Sequence, residues 1–319
     1  MKNQDQTIQT KFNIPEDYSG QRLDQVLAQL LPEYSRSRLQ TWLKSGHILI
    51  NGTPASAKQK VIGTESVELK ITLANEQRWS AQNIPLDIVY QDEGIVIVNK
   101  TAGMVTHPAA GNPDNTLVNA LLHHVPETQL LPRAGLIHRL DKDTTGLLVV
   151  AKTLEAHHTL TKALQMRDIH REYACIVKGA LISGGTIDKP MGRHPKTRLK
   201  QAIVANGKCA VTHYRILDKF QHYTHLKVIL ETGRTHQIRV HMAAIDHAII
   251  GDPIYGGAFR APKNCHETIK NAVKNFGRQA LHAKKLSLTN PTSKVQQTFT
   301  AELPNDFQAL LNLLKELDA

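Results

Sequence analysis

Cysteine is scarce: only Cys175, Cys209 and Cys265 occur in 319 residues, far apart and without the close spacing of metal ligands. That argues against a disulfide framework and a cysteine-based zinc site, and it suits a reducing cytoplasm. Long apolar runs are also missing. No stretch approaches the roughly 18 residues of a membrane span, and Met1-Lys2-Asn3-Gln4-Asp5-Gln6-Thr7-Ile8 lacks the apolar core of a signal peptide. A soluble, unexported protein with no membrane partner is expected. Seventeen histidines occur, yet there is no His-Glu-x-x-His run, and His236 and His241 are five apart, the wrong helical spacing for one site. No metal is expected. Low-complexity tracts and internal repeats are absent, leaving an ordinary globular composition long enough for about two domains. Acidic residues are outnumbered, 28 against 39 Lys and Arg, and the formal charge of +11 favours a phosphate-bearing partner. Nucleic acid comes first, ahead of an anionic membrane or metabolite.

What is present begins with two helices. Leu23, Val26, Leu27, Leu30 and Leu31 recur at helical spacing before Pro32, and a second helix follows with Ser35 as N-cap. Leu39, Trp42 and Leu43 form its inner face, Arg36, Arg38 and Lys44 stay in solvent, and Gly46 closes it. Ile48-Leu49-Ile50, the Asn51-Gly52 turn and Val67-Glu68-Leu69-Lys70-Ile71 then read as short strands. The runs Gln21-Arg22-Leu23-Asp24-Gln25, Ser35-Arg36-Ser37-Arg38-Leu39 and Gly46-His47-Ile48-Leu49-Ile50-Asn51-Gly52 resemble the S4 RNA-binding domain. That resemblance implies contact of Arg36, Arg38 and Lys44 with an RNA backbone. The expected division is an extension over 1–19, the S4-like domain over 20–72, a polar linker over 73–83 and a catalytic domain over 84–319.

From Ile84 the pattern changes to short apolar strands, Leu86-Asp87-Ile88-Val89-Tyr90 and Ile95-Val96-Ile97-Val98-Asn99-Lys100. Helices are predicted over 116–124, 154–166 and 307–317, with strands around Tyr173-Ala174-Cys175-Ile176-Val177, His225 to Leu230 and Leu286 to Leu288. After the Gly233 turn a further helix carries Ile238, Met242 and Ile245 on one apolar stripe, with Arg239 beside it and able to reach inward. Gly251 to Gly257 is a rigid turn cluster. Residues 186–207 read as a basic loop with Lys189, Arg193, His194, Lys196, Arg198 and Lys200, either a solvated charge run or the lining of an RNA groove. The fold class is α+β, a small αα-β domain followed by a mixed, largely antiparallel sheet.

The chain is organised around Gly135-Leu136-Ile137-His138-Arg139-Leu140-Asp141-Lys142-Asp143-Thr144-Thr145-Gly146, read as strand, exposed loop and strand. Loops held by rigid strands present catalytic groups, and Asp141 is taken as the centre of the chemistry. On spacing alone the better reading is a charged hairpin, with Asp143 and the threonines bonding their own backbone. The loop does not stand alone, however. With Arg171-Glu172-Tyr173, Gly233-Arg234-Thr235-His236-Gln237-Ile238-Arg239 and Leu281-His282-Ala283, in that order, it resembles the RluA family of pseudouridine synthases. One departure is Thr101, where the family strand usually ends Asn-Lys-Pro.

The resemblance implies isomerisation of uridine in ribosomal RNA of the large subunit, with Asp141 the catalytic carboxylate, Arg239 its ion-pair partner and Tyr173 stacked on the target base. Leu281 is then an apolar wall, Arg139 helps to hold the place of the flipped nucleotide, and Arg234 and His236 bind substrate. No cofactor is implied, and a monomer is expected. The carboxylate must stay charged to attack C1′, to take the C2′ proton or to add to C6 of uracil. A guanidinium suits that need, because its planar donors can bind both carboxylate oxygens. Two other readings compete. A glycosidase would need two suitably spaced carboxyls, whereas Asp141 and Asp143 point to opposite faces of an extended chain. A non-catalytic RNA-binding ribosome assembly factor would have no use for the Asp141, Tyr173 and Arg239 set.

Overall fold

Residues 7–32, 34, 36–72, 79–109, 111–197 and 200–318 are described by a computed structural model. Two units follow one another, divided between residues 78 and 79. The first contains β1 (Thr7–Asn13), α1 (Leu23–Leu30), α2 (Arg36–Lys44), β2 (Ile48–Ile50), β3 (Thr53–Pro54) and β4 (Ser66–Thr72), with sheet order β1-β4-β2-β3. Its helices form because their apolar residues fall on one face: Leu23, Val26 and Leu27 of α1 and Leu39, Trp42 and Leu43 of α2 share one buried cluster with Ile48, Ile50, Val67 and Leu69. Asn51 and Gly52 both lie in the left-handed region (φ 50° and 75°), as a two-residue hairpin between right-twisted strands requires. Strand β1, which the sequence reading left outside this domain, pairs antiparallel with β4 from Thr7↔Thr72 to Asn13↔Ser66. Its composition, Thr-Ile-Gln-Thr-Lys-Phe-Asn, is that of a polar edge strand, with little apolar alternation to betray it.

The basic face of α2 also departs from expectation. Arg36 donates from Nε and Nη2 to Asp24 Oδ2 at 3.0 and 2.8 Å, and Arg22 and Gln40 donate to the same carboxylate. Burial works to raise the Asp24 pKa, but these donors outweigh it and hold the carboxyl well below the usual range. Arg36 is therefore tied at its head rather than free in solvent. Arg38 lies 4.9 Å over the Trp42 ring, while Lys44 is exposed. The expected Ser35 cap, residues 73–78 of the expected linker and Arg198 of the basic stretch lie outside the described residues.

The second unit starts at Trp79, which packs on its core, so residues 79–83 belong to it rather than to a linker. Its strands are β5 (Asp87–Gln91), β6 (Ile95–Lys100), β7 (Thr145–Ala151), β8 (His170–Lys178), β9 (Gly185–Asp188), β10 (Met191–Arg193), β11 (Gln201–Ile203), β12 (Val211–Lys219), β13 (Tyr223–Leu230), β14 (Leu281–Thr289) and β15 (Gln296–Thr300). Its helices are α3 (Leu117–His124), α4 (Leu154–Gln165), α5 (Gln237–Ala243), α6 (Glu267–Lys274) and α7 (Asn305–Leu317). Nine strands form one sheet, β5-β6-β7-β14-β8-β13-β12-β9 with β15 added on β14, and among the described pairs only β7 with β14 is parallel. The sheet is thus mixed and largely antiparallel.

Strands β6 and β7 are continuous apolar runs because helices cover both faces of the sheet. Val96, Val98, Leu148 and Val150 join a cluster with α3, α6 and α7, whereas Ile95, Ile97, Leu147 and Val149 join one with α4. The predicted 186–207 loop is not all loop: β10 and β11 pair within it, three residues each. Strands of three residues are too short to leave a periodic signal. No helix among the described residues is long and apolar enough to cross a membrane.

Candidate active site

The stretch before Asp141 does not enter as a strand. Arg133, Ala134 and Gly135 are all left-handed (φ 52°, 50° and 77°), and Leu136 makes only a single bridge to Val150. A Cβ at Gly135 would fall 2.0 Å from the Ala151 carbonyl oxygen, so this turn admits only glycine there. At the other end, a Cβ at Gly146 would strike the backbone of Ala283 on β14. Between the two glycines every backbone carbonyl from 140 to 143 accepts a hydrogen bond. Thr106 Oγ1 donates to Leu140 O (2.7 Å), Thr144 N to Asp141 O (3.1 Å), Lys100 Nζ to Lys142 O (2.8 Å) and Arg278 Nη1 to Asp143 O (3.3 Å). The loop is exposed in sequence pattern and pinned in fact.

Arg239, on the first turn of α5, donates from Nη1 to Asp141 Oδ2 at 3.0 Å. Its bidentate fork goes elsewhere. Nε and Nη2 donate to Asp252 Oδ2 and Oδ1 at 2.7 and 2.9 Å, so the expected two-point clasp on Asp141 is a single bond, and the planar pairing belongs to Asp252. Asp252 also accepts the N–H groups of Ile254 and Tyr255. Burial pushes its carboxyl up, but the Arg239 bonds outweigh that and leave it below the usual carboxylate range. Arg239 is buried too, yet the two carboxylates drive its pKa above the ordinary arginine value, so its charge is permanent.

On the other side of the carboxylate, His236 Nε2 stands 3.8 Å from Asp141 Oδ1. Its Nδ1 is 2.8 Å from the Tyr255 hydroxyl, which in turn accepts the N–H of Gln201 on β11 at 2.9 Å. Burial lowers the His236 pKa, against the pull of Asp141. With a neutral ring, Tyr255 donates to Nδ1 and the Nε2–H faces Asp141, an assignment drawn from the network.

A cavity of about 540 Å³ opens above this group. Asp141, Tyr173, Arg239 and Leu281 all line it, as do Arg139, Arg234 and His236, so all seven residues expected from sequence converge on one hollow. Strand neighbours set their positions: Tyr173 on β8 faces Ala283 of β14, and Leu281 opens β14 opposite Cys175. Tyr173 is buried, and burial raises its phenol pKa, keeping the ring neutral. Arg133, Arg139 and Arg167 are exposed at the mouth together with Arg234, which donates to Cys209 O at 3.0 Å. Arg36, Arg38 and Lys44 lie in the other unit.

Four supporting residues escaped the sequence reading: Lys100, Thr106, Asp252 and Tyr255. Only the acidic residue inside the rigid 251–257 turn offered a signal, and it read as turn chemistry. Lys100 is fully buried and also donates to Thr101 O and Met104 O. Burial lowers its pKa to about 8, with the charges of Asp143 and Asp141 opposing the fall. Above that pH the amine keeps two protons for three carbonyls, and its charge beside the carboxylates is gone. Turnover should therefore fall through an alkaline limb near pH 8, and Lys100→Met should lack this limb and run about 10-fold slower at neutral pH. The sign for stability is opposite. Between pH 8 and the ordinary lysine value of 10.5 the folded chain binds fewer protons than the unfolded one, so folding stability rises with pH there. An identical pH–rate profile in Lys100→Met would exclude this role.

Comparison with known proteins gives the cavity a family. Residues 94–244, which carry Asp141, Tyr173 and Arg239, match the family described as RNA pseudouridylate synthase, and residues 21–64 match the S4 domain. The chain belongs to the RNA pseudouridine synthases of the RluA type, and it is an enzyme of that class. Its relatives include proteins named ribosomal large subunit pseudouridine synthase D. That of Pseudomonas aeruginosa is 50% identical over 309 residues, 97% of each chain. That of Escherichia coli K12 is 48% identical over 311 residues, 97% of this chain and 95% of its own. Among solved structures, human RNA pseudouridylate synthase domain containing 4 is 25% identical with a TM-score of 0.56, covering 72% of this chain and 93% of its own.

Proposed function

We propose that the protein isomerises uridines of large-subunit ribosomal RNA to pseudouridine, with Asp141 as the catalytic carboxylate. The observation that carries this reading is the Arg239-bonded Asp141 in one cavity with Tyr173 and Leu281. Isomerisation breaks the N1–C1′ bond, turns the uracil and joins C5 to C1′. One proton leaves C5 and N1 gains one, so neither an oxidant nor net water is consumed and no cofactor is required. Attack at C1′, removal of the C2′ proton and addition to C6 all draw on the same carboxylate. Arg239 bonds and aims that carboxylate, and Asp252 keeps Arg239 in place. The target base leaves its stack at a cost of a few kcal/mol, and the Tyr173 ring returns roughly 1–3 kcal/mol by stacking. Leu281 closes the pocket beside it, and Arg139, Arg234 and His236 hold the rest of the nucleotide.

The ribosomal assignment draws on the names of the relatives and on the S4 domain. In that domain exposed Lys44 contacts the RNA backbone directly, while Arg36 and Arg38, anchored at Asp24 and Trp42, present their exposed remainder. The enzyme acts as a monomer, and three free cysteines fit a reducing cytoplasm as its place of action. Pseudouridine mapping of ribosomal RNA from cells with and without the protein tests the assignment. Positions in the large-subunit RNA are expected to lose the modification, and an unchanged map would reject it.

A further inference from the structure

One buried arginine of the cavity has no carboxylate partner among the described residues. Arg171 on β8 precedes Tyr173 by two residues, so both side chains leave the strand on the same face, and both line the cavity. Arg171 is only 6% exposed, and its Nε lacks a hydrogen-bond partner. Among the described residues no carboxylate pairs with it, in contrast to Arg239 with Asp141 and Asp252, Arg278 with Asp306, and Arg167 with Glu231. Two titratable neighbours, His138 and Tyr173, carry no compensating charge. The His138 ring accepts the Val149 N–H at Nε2, and burial and the Arg171 charge lower its pKa to about 3, while the Tyr173 phenol is neutral. A buried guanidinium without a counter-charge is strongly unfavourable unless an anion completes it.

The chain makes room for this guanidinium. A Cβ at Gly233 would lie 2.7 Å from Arg171 Nη1. Two residues along a strand span roughly 7 Å, comparable with the reach from a uracil ring to its own phosphate. Guanidinium donors match two phosphate oxygens in one plane. We propose that Arg171 is the phosphate-binding residue of the cavity, taking a phosphodiester of the RNA next to the uridine that stacks on Tyr173. This rests on the reading of Tyr173 as the stacking residue, and it makes Arg171 a positioning residue rather than one that touches the reacting atoms.

The test uses the full-length protein and any RNA that the wild type isomerises. Affinity is measured between 50 and 200 mM salt, on unmodified RNA and on RNAs bearing one neutral methylphosphonate linkage near the target uridine. Arg171→Gln is expected to bind about tenfold more weakly and to lower the slope of log affinity against log salt by about 0.7, the share of one phosphate on a single strand. One methylphosphonate should weaken the wild type and leave Arg171→Gln unaffected. Gly233→Ala provides a second variant whose new methyl group meets only the mobile end of Arg171, and it should reproduce the loss of slope. A full salt slope in both variants, with wild-type sensitivity at every methylphosphonate position, would overturn the proposal and leave Arg171 a core or uracil contact. The RNA is chosen by turnover, so a wrong ribosomal assignment would leave this result standing.

Discussion

Asp141→Asn is expected to cut isomerisation by at least roughly 10³-fold while RNA affinity stays largely intact. The amide keeps the volume of the carboxylate and an oxygen that still accepts from Arg239 Nη1. The four captured carbonyls at 140–143 hold the loop through backbone atoms, and the substitution leaves them alone. What disappears is the negative charge needed at C1′, at the C2′ proton or at C6. Product formation by chromatographic separation of uridine from pseudouridine after digestion of the RNA, and affinity by filter binding, separate the two effects. Turnover within tenfold of wild type, or binding lost in step with turnover, would exclude Asp141 as the catalytic group.

Arg239 should produce the largest combined effect. Its guanidinium serves two carboxylates, one of them, on Asp252, fully buried. Arg239→Ala leaves that buried charge alone, and folding is expected to weaken by about 3–5 kcal/mol. Arg239→Lys keeps the charge but cannot span both partners from one ammonium, so turnover should fall about 10²-fold with a smaller loss of stability. A double variant distinguishes the two tasks. Asp252→Asn in the Arg239→Ala background removes the orphaned charge and should recover part of the stability without recovering turnover. Thermal melts and single-turnover rates measure the two halves, and an Arg239→Ala protein that melts like the wild type would sink this account.

The residues that line the cavity were legible because each sits in a short ordered block that resembles a known family. The residues that hold them were not. Asp252 lies thirteen positions from Arg239 inside a turn whose local chemistry already explains an aspartate, and only the fold shows the guanidinium committed to it. Lys100 ends an apolar strand and reads as the point where that strand meets water, yet it is fully buried with three carbonyl acceptors. The strand expected before Asp141 failed because three consecutive left-handed residues turn the chain there, and two of them are not glycine. Strand β1 was hidden by its polarity, and β10 and β11 by their length. Periodicity reports burial on one element at a time, whereas these features depend on partners far along the chain.

The clamps on residues 140–143 come from Thr106, Lys100, Thr144 and Arg278, and the last of these follows Asp143 by 135 residues. Translation delivers the S4 unit long before Arg278. A growing polypeptide thus owns its RNA-gripping module long before it owns a finished catalyst, and a product cut short ahead of residue 278 would occupy RNA without modifying it.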